Sequence, residues 1–254
     1  GRDHRKLLVV DDAVAFLGGY NIGSLYATDW RDTHARLTGD IVWDAQNAFI
    51  DFWNLSANRR RPALTDIGGS TWQPDIRIHR NIPRNMVYPI RAVYLEAFDR
   101  ASHHIYLTHA YLIPDADILD ALLRAAKRGV DVQLVLPGVS DHDFIKYAGE
   151  SFYQELLEGG VRIHQLQVAV LHAKTTVIDG MWSSIGSANI DRRSFIHNYE
   201  VNVVVLDPAF GRDMEAAFRE DLRHSKEIKL ADWKRRPWGD RLREMMSRLT
   251  EYWI

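Results

Sequence analysis

The sequence predicts an α/β protein built from two similar halves, and three observations carry that prediction. A cluster of His, Lys, Asp, Gly and Asn at fixed spacing occurs twice. Stretches with the period of a strand alternate with stretches with the period of a helix in front of the second cluster. The first cluster begins at His4 with no such run before it. Shifted back by 168 positions, His172, Lys174, Asp179, Gly186 and Asn189 fall on His4, Lys6, Asp11, Gly18 and Asn21. Val177 and Ile190 fall on Val9 and Ile22, so seven of the nineteen positions from 4 to 22 agree. Chance supplies about one, and self-similarity at a fixed period marks an internal repeat.

The bulk properties narrow the field without identifying a function. A chain of 254 residues with 46% hydrophobic and 26% charged residues can bury a substantial core. A net charge of −2 provides no general attraction for polyanions, so any such binding must come from local patches. The absence of cysteine excludes thiol catalysis, disulfides and cysteine metal sites. No apolar run approaches the roughly eighteen residues needed to span a bilayer, and no signal peptide is visible.

Taken in order, residues 1–56 hold the first cluster and a helix predicted over Asp44 to Leu55, and polar residues 57–73 read as a linker. Residues 74–232 form the second half. Pro89 to Ala101 has helical spacing, and His104 to Leu112 reads as a buried strand. Asp117 to Gly129 is a helix with acid at its start and a terminal Gly, and Val130 to Leu136 is a strand. Phe144 to Leu157 is a helix closed by two glycines, Val161 to Leu166 a strand. This βαβαβ order implies a sheet that is at least partly parallel, with helices on its faces. Past Glu200 come an apolar strand to Leu206 and an amphipathic helix from Pro208 to Ser225. Residues 233–254 mix Trp with Lys and Arg at helical spacing. That last helix either docks its apolar stripe on the second half, the preferred reading, or lies on anionic lipid. Because the first half lacks the scaffold under His172, Gly1 is expected not to be the natural start. A preceding segment would then supply the missing strands, unless a reduced half borrows support elsewhere.

The repeated residues imply chemistry, since packing alone gives no reason to hold them at matched spacing. Residues two apart share a strand face, so each His projects with its Lys. Asp179-Gly180 is a hairpin signal, which makes Asp179 and its counterpart Asp11 turn-forming. Gly18-Gly19-Tyr20-Asn21 and Gly186-Ser187-Ala188-Asn189 place small residues and an amide together, allowing backbone N–H groups close to an anion. Eleven residues past each Asn stands a carboxylate, Asp32 or Glu200. Two facing copies suit a phosphodiester. Lys6, Lys174, Asn21 and Asn189 hold the phosphoryl oxygens, one of His4 and His172 attacks phosphorus, and the other moves protons. Asp32 and Glu200 each accept from the far nitrogen of a histidine. The lysines provide the positive charge, so no metal or other cofactor is required. His103, His104, His109, His164 and His224 have no ligand spacing.

Both copies match H-x-K-x4-D-x6-G-[GS]-x-N, and the sequence thereby resembles the phospholipase D superfamily. The segments Trp30 to His34, Thr108 to Asp115, Pro137 to His142 and Ala188 to Asn202 look like those of bacterial cardiolipin synthases. The resemblance implies two phospholipase D-like lobes related by a pseudo-twofold axis, the first truncated at its N-terminus, with a site between them working through phosphohistidine. It gives His4 the nucleophile's part and His172 the acid/base, although the near-symmetry of the copies leaves that order open. Ser187 offers a hydroxyl that Gly19 lacks, and Asp115 and Asp141 stand near the site's rim or serve as turn residues. The function implied is phosphatidyl transfer, making cardiolipin from phosphatidylglycerol and a second phospholipid, possible substrates including phosphatidylethanolamine. Peripheral contact with a bacterial cell membrane follows, its face and the oligomeric state undetermined. Alternatives are a phosphodiesterase hydrolysing phospholipid, a nuclease disfavoured by charge balance, or an inactive membrane-binding module.

Overall fold

The computed structural model describes residues 2–65, 73–140 and 142–248. The first half forms β1 (Lys6–Val10), β2 (Val14–Gly18), α1 (Ser24–Thr28), β3 (Trp30–Arg31), β4 (His34–Thr38) and α2 (Ile41–Leu55). The scaffold of the second half is β5 (Ile76–Asn81), α3 (Pro89–Arg100), β6 (His104–His109), β7 (Leu112–Ile113), α4 (Ala116–Lys127), β8 (Asp131–Val139), α5 (Asp143–Glu150), α6 (Tyr153–Glu158) and β9 (Arg162–Leu171). The second copy of the repeat then supplies β10 (Lys174–Ile178), β11 (Trp182–Gly186), β12 (Ile190–Asp191), α7 (Arg192–Ile196), β13 (Glu200–Leu206) and α8 (Pro208–Arg223). After it come β14 (Ser225–Ile228), α9 (Leu230–Lys234) and α10 (Trp238–Arg248).

The large sheet runs β14-β9-β8-β6-β10-β11-β13-β5, with β3 joining β9. Strands β6, β8 and β9 are parallel neighbours linked through α4, α5 and α6, as the alternating pattern requires. The hairpin β10–β11 and strand β13 extend it antiparallel. On one face, Ile105, Leu107, Leu134, Leu136 and Ile163 pack under helices α3 to α6. On the other, Val177, Ile185, Val201 and Val203 meet Ala15, Leu17 and Leu37 of a separate three-stranded sheet, β1-β2-β4, and Ile41 and Ala45 of α2. Along β10 the face alternates, Val177 on one side and Ile178 on the other, so the strand ties both cores together. Full burial of each such side chain contributes about 1.5–3 kcal/mol.

The two copies differ in their cover. Strand β10 is flanked by β6, and Tyr94 of α3 lies fully buried over it, its hydroxyl 3.3 Å from both Ser184 Oγ and Asn202 Nδ2. Among the described residues β1 pairs only with β2, and Leu8 and Val10 stand exposed. A cavity of about 540 Å³ lined by Leu7, Leu8, Phe16 and Ile22 runs along β1.

Two predicted helices are broken. Residues 143–158 form α5 and α6 instead of one helix, because Gly149 weakens the turn and Ser151 Oγ folds back to the Ala148 carbonyl at 2.6 Å. The C-terminal helix is interrupted at Pro237, which cannot donate to the preceding turn. Helix α10 packs against α5, with the Arg243 guanidinium over the Tyr147 ring. Residues 249–254, which include Trp253, lie outside the described residues, as does Asp141.

Candidate active site

The halves meet by exchanging short backbone ladders. Asp3 and Tyr199 form a parallel bridge, the Tyr199 N–H donating to the Arg2 carbonyl at 2.9 Å and the His4 N–H to the Tyr199 carbonyl at 3.0 Å. The counterpart is β3 against the end of β9, where Trp30 and Arg31 pair with Val170 and Leu171. There the His172 N–H donates to the Arg31 carbonyl at 2.8 Å. Each histidine therefore leaves its half beside the carboxylate-bearing segment of the other.

That exchange sets the partners. His172 Nδ1 is 2.8 Å from Asp32 Oδ2, and His4 Nδ1 is 3.0 Å from both oxygens of Glu200. An ionised carboxylate only accepts, so each Nδ1 donates and Nε2 keeps the lone pair. Glu200 also accepts from Ser187 Oγ at 2.6 Å and from Asn198 Nδ2 at 3.4 Å, whereas Asp32 accepts from the Thr33 N–H at 2.7 Å. Both histidines line one cavity of about 480 Å³, together with Lys6, Asn21 and Asn189. Burial is the largest influence on His172 and holds its pKa below the usual imidazole value. The Asp32 hydrogen bond opposes this, and the charges of Lys174 and Lys6 reinforce it.

The lysines hold back toward their own histidines. Lys6 Nζ donates to the His4 carbonyl at 2.6 Å, and Lys174 Nζ donates to the His172 carbonyl. Burial lowers Lys6 to about 8 against the pull of Glu200, Asp32 and Asp3, so it remains mostly protonated at pH 7. Lys6 lines the cavity; Lys174 is fully buried and is not among the lining residues. The shared strand face expected of His172 and Lys174 is modified, because β10 begins at Lys174 and leaves His172 at its mouth.

The remaining candidates sort by position. Ser187 and Gly19 do not line the cavity. The Ser187 hydroxyl is engaged by Glu200, and Gly19 lies so close to Asp32 that a Cβ there would overlap the carboxylate. Asp11 and Asp179 sit in hairpin turns with φ of 51° and 54°. The Asp179 carboxylate accepts from the N–H groups of Ser102, His103 and His104, each at 2.8 Å. Asp115 caps α4 by accepting from Asp117 and Ile118 and pairs with Arg91, which is structural work. His104 is 2.8 Å from Glu215, His109 is 3.2 Å from Thr176 Oγ1, and His224 is 3.1 Å from Glu220. Among the described residues no group of three or more His, Asp or Glu is placed to hold a metal.

Several contributors carried no individual signal. The rings of Tyr26 and Trp30 lie 5.3 and 5.5 Å from that of His172. Arg31 grips Asp221 at 2.7 and 2.8 Å and the Asp32 carbonyl at 2.7 Å, clamping β3 in place. Tyr111, His142, Asp191, Arg193 and Asn198 complete the cavity wall. Burial pushes Asp191 up to about 6, although it accepts from the Ser194 N–H at 2.6 Å. Most of these fall in the segments that carry the resemblance, but that pattern assigns them no task. A further cavity of about 500 Å³ lies beyond α7, lined by Arg91, Asp115 and Arg192, and contains none of the repeated residues.

A mixed sheet covered by helices, with two histidine–carboxylate pairs converging on one cavity, is a phospholipase D-like arrangement. A family model described as "Cardiolipin synthase, PLD-like domain" matches residues 94–222, and the chain belongs to that family. It is 34% identical to a cardiolipin synthase of Clostridium perfringens, over 98% of this chain and 55% of that protein. It is likewise 34% identical to the major cardiolipin synthase of Bacillus subtilis, over 98% of this chain and 54% of that one. The chain thus spans about half the length of the curated relatives it matches. Among solved structures, the phosphatidylserine synthase of Haemophilus influenzae superposes with a TM-score of 0.74 at 14% identity, covering 98% of this chain and 69% of that one. Nuc, a phospholipase D family member from Salmonella typhimurium, superposes with a TM-score of 0.53 at 21% identity, covering 62% of this chain and 99% of that one. Both likenesses concern the fold.

Proposed function

We propose that the chain carries the two-histidine centre of a phosphatidyltransferase, one that makes cardiolipin from phosphatidylglycerol and a second phospholipid. The observation that carries this reading is the crossed pairing, His172 with Asp32 and His4 with Glu200, around a single cavity. The names of its relatives supply the product, cardiolipin.

In this mechanism the Nε2 lone pair of one histidine attacks phosphorus, and the P–O bond to the headgroup breaks. The other histidine, protonated, donates to the departing oxygen. It then takes the proton from the acceptor hydroxyl as that oxygen attacks phosphorus and the P–N bond breaks. Lys6, Lys174 and the amides of Asn21 and Asn189 stabilise the charge on the phosphoryl oxygens. The family pattern gives the attack to His4, while burial favours a neutral His172, the state a nucleophile needs. A bound phosphodiester adds negative charge beside both rings and raises His172 again. The substrates bring the protein to the surface of a bacterial cell membrane; no helix among the described residues is long and apolar enough to cross one.

The test is incubation of the full chain with vesicles of phosphatidylglycerol, with and without phosphatidylethanolamine, and mass analysis of the products. Cardiolipin with glycerol, or cardiolipin with ethanolamine, identifies the acceptor pair. Phosphatidic acid alone replaces transfer with hydrolysis. His4→Ala and His172→Ala should each abolish turnover, and Lys6→Ala or Lys174→Ala should cost several orders of magnitude; near-normal rates in either His variant sink the shared site. Alkaline quenching of donor labelled at phosphorus, which preserves the acid-labile P–N bond, on the His172→Asn and His4→Asn chains identifies which imidazole carries phosphorus.

A further inference from the structure

Transfer to a phospholipid poses a demand that hydrolysis does not: the acceptor alcohol brings a second phosphodiester into the cavity. In the proposed mechanism the groups duplicated by the repeat serve the first. Lys6 and Lys174 hold against their own histidine carbonyls. Arg5, which also reaches the cavity, is held by Asp3 and the Ala48 carbonyl and lies over the rings of Phe52 and Tyr199.

Arg193 is different. It lies on α7, partly buried, and lines the same cavity as His4, His172 and Asn189. Among the described residues its guanidinium makes no hydrogen bond, ion pair or ring contact. Its neighbour Arg192 points into the cavity beyond α7, so the two arginines of one short helix serve opposite sides. The repeat sharpens the contrast. Shifting by 168 positions puts Arg193 on Leu25, an exposed apolar residue, so this cation belongs to one copy only. The symmetric demands of one phosphorus atom between two histidines do not call for it. A partly desolvated guanidinium with its fork of donors unused is suited to a phosphate, which it can bind through two parallel hydrogen bonds.

We infer that Arg193 binds the phosphate of the acceptor lipid, so that the cavity has a one-sided second anion site selecting an alcohol that carries its own phosphodiester. This rests on the proposed transferase reading and adds the side from which the acceptor enters. Because the site stands on the second half, the acceptor hydroxyl approaches from the wall formed by Tyr111, His142 and Arg193.

The test compares two acceptors for the same donor: phosphatidylglycerol, which carries a phosphate, and ethanol, which does not. In the full chain, Arg193→Ala should reduce the preference for phosphatidylglycerol over ethanol at least tenfold, through a raised acceptor KM with kcat changed less than threefold. Arg193→Lys, which keeps the charge but loses the fork, should recover part of that preference. Arg193→Leu, the residue of the other copy, should behave as Arg193→Ala and raise the ratio of phosphatidic acid to cardiolipin. Equal losses with both acceptors would make Arg193 part of the common step and overturn the inference. An unchanged preference in all three variants, each checked for a cooperative thermal transition, would overturn it too. A wild-type chain that transfers well to ethanol and not to phosphatidylglycerol refutes the second anion site while leaving the histidine chemistry intact. A wild-type chain that releases neither glycerol nor ethanolamine from vesicles of phosphatidylglycerol and phosphatidylethanolamine refutes both readings.

Discussion

Asp32 is boxed in from three directions: the His172 ring at its Oδ2, the Thr33 N–H at its Oδ1, and Gly19 against its face. Its carboxylate fixes which nitrogen of His172 carries the proton, and an amide in its place can present a donor to Nδ1 and impose the wrong tautomer. Asp32→Asn should therefore cost on the order of 10³ or more in kcat while leaving the fold intact. Gly19→Ala should be nearly as harmful, although Gly19 does not line the cavity, because the added methyl displaces the carboxylate. Headgroup release by both variants, beside a thermal melt, checks this; a Gly19→Ala chain with wild-type kcat would show that Asp32 need not hold its position. The loss of a hydroxyl in the first copy, from Ser187 to Gly19, now has a physical reason. Glu200 is longer and accepts the Ser187 hydroxyl, while the shorter Asp32 leaves no room for a side chain opposite it.

At the level of elements, the two hairpins have one backbone shape and different duties. Asp11 and Asp179 both have positive φ, but among the described residues only Asp179 collects three backbone N–H groups, at the entry to β6. Those hydrogen bonds hold its carboxyl below the usual carboxylate range, although burial alone would raise it. Asp179→Ala should destabilise the protein by about 2–3 kcal/mol, since it leaves charge-assisted partners unmet. Asp11→Gly should be neutral or mildly stabilising, because glycine adopts this φ without the Cβ penalty. Chemical denaturation of the two variants separates these outcomes, and equal effects would mean that Asp179 acts only as a turn residue. The motif spelled both aspartates alike; the difference arises because, among the described residues, the Ser102 to His104 segment meets Asp179 and no such segment meets Asp11. The broken helices show the same limit. The helical spacing of residues 233–254 carried the reading past Pro237, and the interruption at Ser151 depends on a local side-chain bond that periodicity does not register.

For the whole molecule, the fold keeps several imidazoles neutral. Burial lowers the pKa of His34, His79, His109, His164 and His172 from the ordinary 6.5, with His109 reaching about 3. Above pH 6.5 folded and unfolded chains carry equal charge at these positions. Below it the unfolded chain binds protons that the folded chain refuses, so stability falls as pH falls, by about 1.4 kcal/mol per pH unit for a fully buried ring such as His109. Asp191, raised to about 6, opposes this below pH 6 because there the folded chain binds the proton first. The histidines outnumber it, so the melting temperature should drop between pH 7 and pH 5, and His109→Gln should flatten the slope. A melting temperature that is constant or rises on acidification would contradict this account of the core.

The repeat, the α/β class and the set of groups proposed to react were legible in the sequence alone. Spacing repeated within one chain at His, Lys, Asn and acid is what the proposed phosphodiester chemistry would require, and the period of apolar residues reflects which face is buried. The pairing across the halves was decided only by the tertiary structure. Spacing puts Asp32 in the same copy as His4, yet Asp32 orients His172, and Glu200 orients His4. The reason is that β3 and the segment at Tyr199 each cross to the other half's histidine through backbone hydrogen bonds. Local pattern encodes which residues a strand presents, whereas the partner each meets depends on how two distant strands pack.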